Sequence, residues 1–294
     1  MTLLELIRTM CAQLGVVEPN SVIGNNDRTV SQMRALLTTL GSDIVVQHDW
    51  RQLRKEAILI TRAMTVRATL TQGSSTVTLA DASALSDNYV ASGEGIPQYA
   101  RVTSKTSNTV TLDQPCTKTG EFDVTFSQAR FRLPTDWARQ VPLTEWNRST
   151  QWPIKGPITP QAWQQFKSGI TYRGPWEVFR LVGNHMIVMP PPPSGLTFAF
   201  DYISKNWVVE EGGQTKAIPT QDTDTFIFSD SMLMTGLKAR WFDVHGMDST
   251  VEKADFAGLL NTAKGQDSSA DALTISPGSR CYPCLTVPDG NWMV

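Results

Sequence analysis

The sequence predicts an α+β protein: a four-helix bundle formed by N- and C-terminal helix pairs, with a β-rich region inserted between them and an extended C-terminal tail. Three observations predict it. Apolar residues recur at helical spacing near both ends of the 294-residue chain, period-two alternation of Thr, Val and Ser fills the stretch from about 65 to 130, and a polar, Pro- and Gly-punctuated segment closes the sequence. The expected divisions are 1–64, an N-terminal helix pair; 65–130, a β-module built as a small barrel or sandwich; 131–221, a Trp- and Pro-rich β region; 222–266, a C-terminal helix pair; and 267–294, the tail.

The first helix is expected over 2–14, where Leu3, Leu4, Ile7, Met10, Cys11 and Leu14 share a face. Thr2 and Glu5 are spaced as a capping box, and Gly15 stands where a helix stops. A loop rich in Pro, Asn, Ser and Gly precedes a second helix, about 29–49, which opens on the box-like pair Thr29 and Gln32 and carries Val30, Met33, Leu37, Leu40 and Ile44 on one side. Gly41 inside it costs about 1 kcal/mol relative to Ala, and marks a close approach by a neighbour. The runs 76–79, 108–112 and 123–126 alternate as strands of a five- or six-stranded module. Residues 131–175 read as mostly irregular or extended. A hairpin follows, 176–182 and 185–189, turned on Gly183-Asn184 and stopped by Pro190 to Pro193, and then a strand over 196–203. Phe226, Leu233, Leu237, Trp241 and Val244 mark a third helix over 224–246. Ser249 and Glu252 are spaced to box-cap a fourth, reaching about Lys264.

The chemistry-bearing residues are dispersed. Cys281 and Cys284 form a lone Cys-Tyr-Pro-Cys without the second ligand pair a zinc site needs, so all four cysteines are expected as free thiols. His48, His185 and His245 are isolated, and the neighbouring acids Asp49 and Asp243 fall off any shared helical face. Asp222 and Asp224 lack the rest of a calcium loop and read as the N-terminal turn of the third helix. Gly93-Glu94-Gly95 does not complete a phosphate loop. No metal or cofactor is expected, and no catalytic residues. The nine tryptophans read as core and subunit anchors. A net charge of −2 argues against a protein that grips nucleic acid by its backbone. With no leader pattern at the N-terminus and no apolar run of spanning length, the expectation is synthesis in a cytoplasm and no membrane partner.

Several stretches resemble the tail tubular protein A and head-to-tail adaptor family of short-tailed bacteriophages. They are the opening Leu3 to Gly15 with a second helix and a tryptophan near its end, Phe131-Arg132-Leu133-Pro134-Thr135-Asp136-Trp137, and Asp222 to Phe226 followed by Gly236 to Arg240. The stretch from Gly95-Ile96-Pro97 to Val110-Thr111-Leu112 is similar to β-modules of phage structural proteins. The resemblance implies a non-enzymatic virion protein at the head-tail junction, assembled in the bacterial host. It implies a homo-dodecameric ring between the portal protein and the tail nozzle protein, around genomic double-stranded DNA that passes without sequence-specific binding. In that setting the β-module is a platform for tail fibres, and Tyr282, Trp292 and Met293 in the tail dock on the portal. The alternatives are another tail component, a nozzle or tail-completion protein, and a cell-wall or polysaccharide hydrolase with two positioned carboxylates.

Overall fold

A computed structural model describes residues 1–167 and 177–267 of the chain. Its helices are α1 (Leu3–Leu14), α2 (Arg28–Gln47), α3 (Pro160–Lys167), α4 (Asp230–Val244) and α5 (Thr250–Asp267). At the start of α1 the capping box is closed: Glu5 N donates to Thr2 Oγ1 at 3.3 Å, and Thr2 N donates to Glu5 Oε2 at 2.9 Å. Gly15 ends the helix with φ 66°, a left-handed conformation that costs glycine nothing. The opening of α2 departs from expectation. Asp27 is its N-cap, accepting from Thr29 N at 2.7 Å, so Thr29 lies inside the helix and forms no box with Gln32. A carboxylate is a charge-assisted acceptor there and suits the positive end of the helix dipole.

The four-helix bundle does not form. Among the described residues strands predominate, arranged as a closed six-stranded barrel and three open sheets beside five helices. Leu3, Ile7 and Met10 of α1, Met33, Leu37 and Ile44 of α2, and Leu233 and Leu237 of α4 do share one core. That core also takes in Ile203, Trp207, Val208 and Phe228, which lie outside the helices. Trp207 is fully buried and lies against α2 at Gly41, the close approach expected there. The remaining helix, α5, buries only Leu260. At 100° per residue, Phe256, Leu259, Leu260 and Ala263 fall within one face, but Val251 points elsewhere and is exposed. A bundle needs a full apolar stripe from each of four helices. α5 adds one buried residue, with Phe256, Leu259 and Ala263 half-buried against the core, and a tryptophan and strand residues complete it.

The barrel consists of β2 (Ala63–Leu70), β3 (Thr76–Leu79), β4 (Tyr89–Gly93), β5 (Ala100–Lys105), β6 (Thr109–Leu112) and β7 (Gly120–Gln128), which follow β1 (Arg54–Ile60). It closes in the order β2-β3-β6-β5-β4-β7, with every adjacent pair antiparallel. The period-two pattern dictates which way each side chain faces. Val77 and Leu79 are buried while Thr76 and Thr78 are exposed, and Val110 and Leu112 repeat the pattern on β6. Closure leaves no unpaired strand edge, and a β-module of this size gains from that.

The remaining strands are β8 (Arg130–Arg132), β9 (Trp137–Gln140), β10 (Trp146–Asn147), β11 (Trp152–Pro153), β12 (Val178–Val182), β13 (His185–Met189), β14 (Thr197–Ser204), β15 (Val208–Val209), β16 (Thr215–Lys216) and β17 (Thr225–Phe226). β14 is the spine of the largest open sheet, pairing with β1, β9 and β10. The Gly183-Asn184 turn joins β12 to β13, and β8 adds on the far side of β13. Within the stretch read as irregular or extended, α3 is a correction. Thr159 directly before Pro160 carries a helix-start signal, with Thr159 Oγ1 accepting from Ala162 N at 3.2 Å. The barrel leaves the body after β1 and returns at β8, and Thr61 secures the first crossing. This residue is buried: its hydroxyl donates to Pro193 O at 2.6 Å and accepts from Leu196 N at 2.8 Å.

Candidate functional site

The tail residues singled out in the sequence, Tyr282, Trp292 and Met293, lie outside the described residues, as do Cys281 and Cys284. Cys11 and Cys116 are buried free thiols, and burial raises the pKa of each. A raised pKa leaves less thiolate, so neither is primed as a nucleophile. His48 and His245 each follow the last residue of a helix, α2 and α4. His245 Nδ1 lies 2.8 Å from Trp241 O, and His48 Nε2 lies 3.2 Å from Asp267. Among the described residues no group of three or more His, Cys, Asp or Glu side chains is placed to hold a metal ion. No helix there is long and apolar enough to cross a membrane.

Asp222 and Asp224 are not the first turn of α4, which begins only at Asp230. Both carboxylates tie loops instead. Asp222 accepts from Val22 N and Ile23 N, at 3.1 and 2.8 Å, and fastens the loop between α1 and α2. Asp224 is fully buried, accepts from Thr220 N and Gln221 N at 2.7 and 2.8 Å, and pairs with Lys216 at 2.9 Å. Burial opposes its ionisation, but the Gln221 N–H, the Lys216 ammonium and the Thr220 N–H together outweigh it and hold its pKa below the ordinary range. Carboxylates so well supplied with backbone donors suit loop closure better than calcium. The expected Ser249–Glu252 box is likewise replaced. Ser249 donates its hydroxyl to Asp243, and Glu252 pairs with Lys238 at 3.2 Å across α4 and α5.

Two further carboxylates that are withdrawn from solvent, Asp136 and Glu145, have altered ionisation. Asp136 accepts from Lys55 Nζ, Tyr202 Oη and Ser204 Oγ at 2.8, 2.9 and 2.8 Å. Burial opposes its charge, yet these three donors leave its pKa lowered. With its oxygens taken by neighbours on β1 and β14, it anchors the sheet. Glu145 is buried and its pKa is raised by that burial, against hydrogen bonds that include one from Gln140 Nε2.

One apolar surface lies at the closing helices. A groove of about 520 Å³ runs between α5, the first turn of α4 and the segment around Trp50, lined by Trp50, Phe228, Met232, Leu259 and Ala263 among others. Its far end is pinned by Asp267, whose carboxylate accepts from Arg51 N at 3.0 Å. At the opposite end of α5, Val244, Met247 and Val251 are exposed. A second apolar strip lies on β1 at the edge of its sheet, where Ile58 and Ile60 face outward on one side. These positions can bury area against another protein surface. No protein-family model matches the chain, and no curated protein matches it.

Proposed function

We propose that the chain is a virion structural protein, a head-to-tail adaptor that assembles as a ring of twelve copies, joins the portal protein to the tail nozzle protein, and surrounds the path of the genomic DNA. One observation carries this reading: the apolar face of α5 is only half-covered within the chain, with Leu260 buried but Phe256, Leu259 and Ala263 half-exposed, and Val244, Met247 and Val251 stand in solvent near where the helix begins. A helix gains most of its stability from packing its apolar face, because nucleation is costly and propensity alone is weak. A neighbouring copy supplies that cover. In a closed ring each copy covers its neighbour through two different patches, a heterologous contact. The α5 corner and the β1 strip are two separate apolar patches of the kind such a contact needs. The near-neutral charge supports a wall past which DNA slides without being held.

Native mass spectrometry of the purified chain, alone and with a portal protein, tests the proposal. A twelve-fold ring, or a monomer that becomes twelve-fold on the portal, is the expected outcome. A monomer or dimer indifferent to the portal overturns it. In the same reading Tyr282, Trp292 and Met293 are portal anchors, so deletion of residues 285–294 weakens portal binding, and undiminished binding removes that assignment.

A further inference from the structure

Where the barrel meets the body, a cavity of about 110 Å³ is lined by Arg101, Arg130, Arg180 and Trp163. The arginines come from different elements. Arg130 on β8 and Arg180 on β12 both pair in register with Ile187 of β13, so the three side chains share one face of that sheet. Arg101 reaches the cavity from β5 of the barrel, and Trp163 from α3. The Arg180 guanidinium lies 4.1 Å from the centre of the Trp163 ring.

These groups share one hydrogen-bonding state. Arg101 Nε, Arg130 Nε, Arg180 Nε and Trp163 Nε1 are all buried, and none has a hydrogen-bond partner among the described residues. All four are obligate donors. The ion-paired arginines among the described residues are Arg67, Arg139, Arg148 and Arg240, and none of those lines the cavity. One carboxylate, Asp113, borders the cavity, but it is exposed and its Oδ1 accepts from the Arg101 backbone N–H at 2.7 Å. The stretch 168–176, which follows α3, contains no Asp or Glu in its sequence. The positive field is felt by neighbouring groups. Burial and then the Arg130 charge lower the Arg180 pKa, and burial, then Arg130, lower that of His185, with Asp87 opposing.

Half-buried like charges without an ion pair are costly, and four buried, unmatched donors on side chains that line one cavity call for an acceptor. We propose that this cavity is a binding site for a small oxyanion, a phosphate or carboxylate group, held by the guanidinium groups of Arg101, Arg130 and Arg180, with the Trp163 ring packed against Arg180 to hold its guanidinium in place. Guanidinium forks match the planar edges of both groups, and the cavity holds several times the ~10–15 Å³ one water needs. The site draws its walls from barrel and body together, so its occupant fastens one to the other. It does not depend on the ring proposed above.

The test is isothermal titration of the full-length protein with inorganic phosphate, and separately with acetate, at ionic strength held constant with sodium chloride. The expected result is saturable binding of one anion per chain, weakened at least tenfold by Arg130→Met or Arg180→Met and unchanged by Arg67→Gln on the exposed barrel wall. A preference for phosphate or for acetate tells the tetrahedral from the planar ligand, and either supports the site. Removing a guanidinium relieves repulsion, so the Arg→Met variants melt in chloride at or above the wild-type temperature. Hydrogen exchange of the wild type gives a readout that needs no variant: phosphate slows exchange at β8 and β12 relative to chloride. Absence of saturable binding by both anions, equal weakening by Arg67→Gln, or unchanged exchange at β8 and β12 overturns the proposal.

Discussion

Gly41→Ala is the substitution for which the structure and the helix scale disagree most clearly in sign. In an exposed helix interior, Ala is favoured over Gly by about 1 kcal/mol. At position 41, however, an added Cβ would sit closer than 3.0 Å to Cζ2, Cε2 and Cη2 of Trp207. Carbon atoms pack best at roughly 3.5–4.0 Å. The obstacle is a rigid ring and not the end of a flexible chain, and the ring has nowhere to go. It is fully buried and stacks on Phe226 at 5.4 Å and on Phe228 at 6.3 Å between centroids. Overpacking a tight core costs about 1–3 kcal/mol, and this site belongs at the upper end. Subtracting the helix gain leaves a net destabilisation of about 2 kcal/mol. Urea unfolding followed by tryptophan fluorescence reads it as a lower midpoint at unchanged slope. A double-mutant cycle with Trp207→Phe isolates the clash. The smaller ring makes room, so Gly41→Ala costs less in that background, with a coupling of about 1–2 kcal/mol. Stabilisation by Gly41→Ala in the wild-type background would refute the reasoning, because it would mean that Trp207 does not rest on this helix.

Three further outcomes are expected. Asp224 has a depressed pKa in the fold, so its stabilising contribution is full above the unfolded carboxylate value near 4 and is lost as pH falls through the lower folded value. Melting temperature therefore declines below about pH 4, and Asp224→Asn, which leaves Lys216 without this partner, lowers stability at pH 7 by about 3 kcal/mol while flattening that acid limb; an unchanged acid limb in the variant sinks the assignment. Thr61→Val preserves shape but removes a hydroxyl that both donates and accepts at the barrel crossing, and should cost about 1–3 kcal/mol. Hydrogen exchange should then accelerate at the Leu196 amide, which loses its acceptor, and unaltered exchange there contradicts the clamp. Met247→Lys combined with Val251→Glu places charge on exposed positions, the acid in the first turn of α5, leaving the melting temperature of the dissociated chain within about 4 °C while breaking the ring. A ring that persists in native mass spectra shows that this corner is not the contact.

The sequence alone determined those features whose cause is local. The Thr2–Glu5 box and Gly15 sit within one helical segment, so their spacing suffices to place both ends of α1. Gly183-Asn184 sets its hairpin, and the alternation at 76–79 and 109–112 already tells which residues face the barrel interior. Even Gly41 marked a close approach, although not by what. Cap competition was less legible: Asp27 displaced Thr29, and Asp243 drew the Ser249 hydroxyl away from α5, because the winning acceptor depends on geometry as well as spacing. Only the tertiary structure decided that a tryptophan from beyond β14 and residues of β14 and β15 join the helices in one core. Only it paired β1 with β14 across more than a hundred residues, and only it brought Arg101, Arg130, Arg180 and Trp163 around one cavity. The physical reason is the same in each case. Periodicity records which face of a segment avoids water, whereas the surface that covers that face is set by strand registers and helix crossings between distant parts of the chain, to which apolar burial is indifferent except through fit.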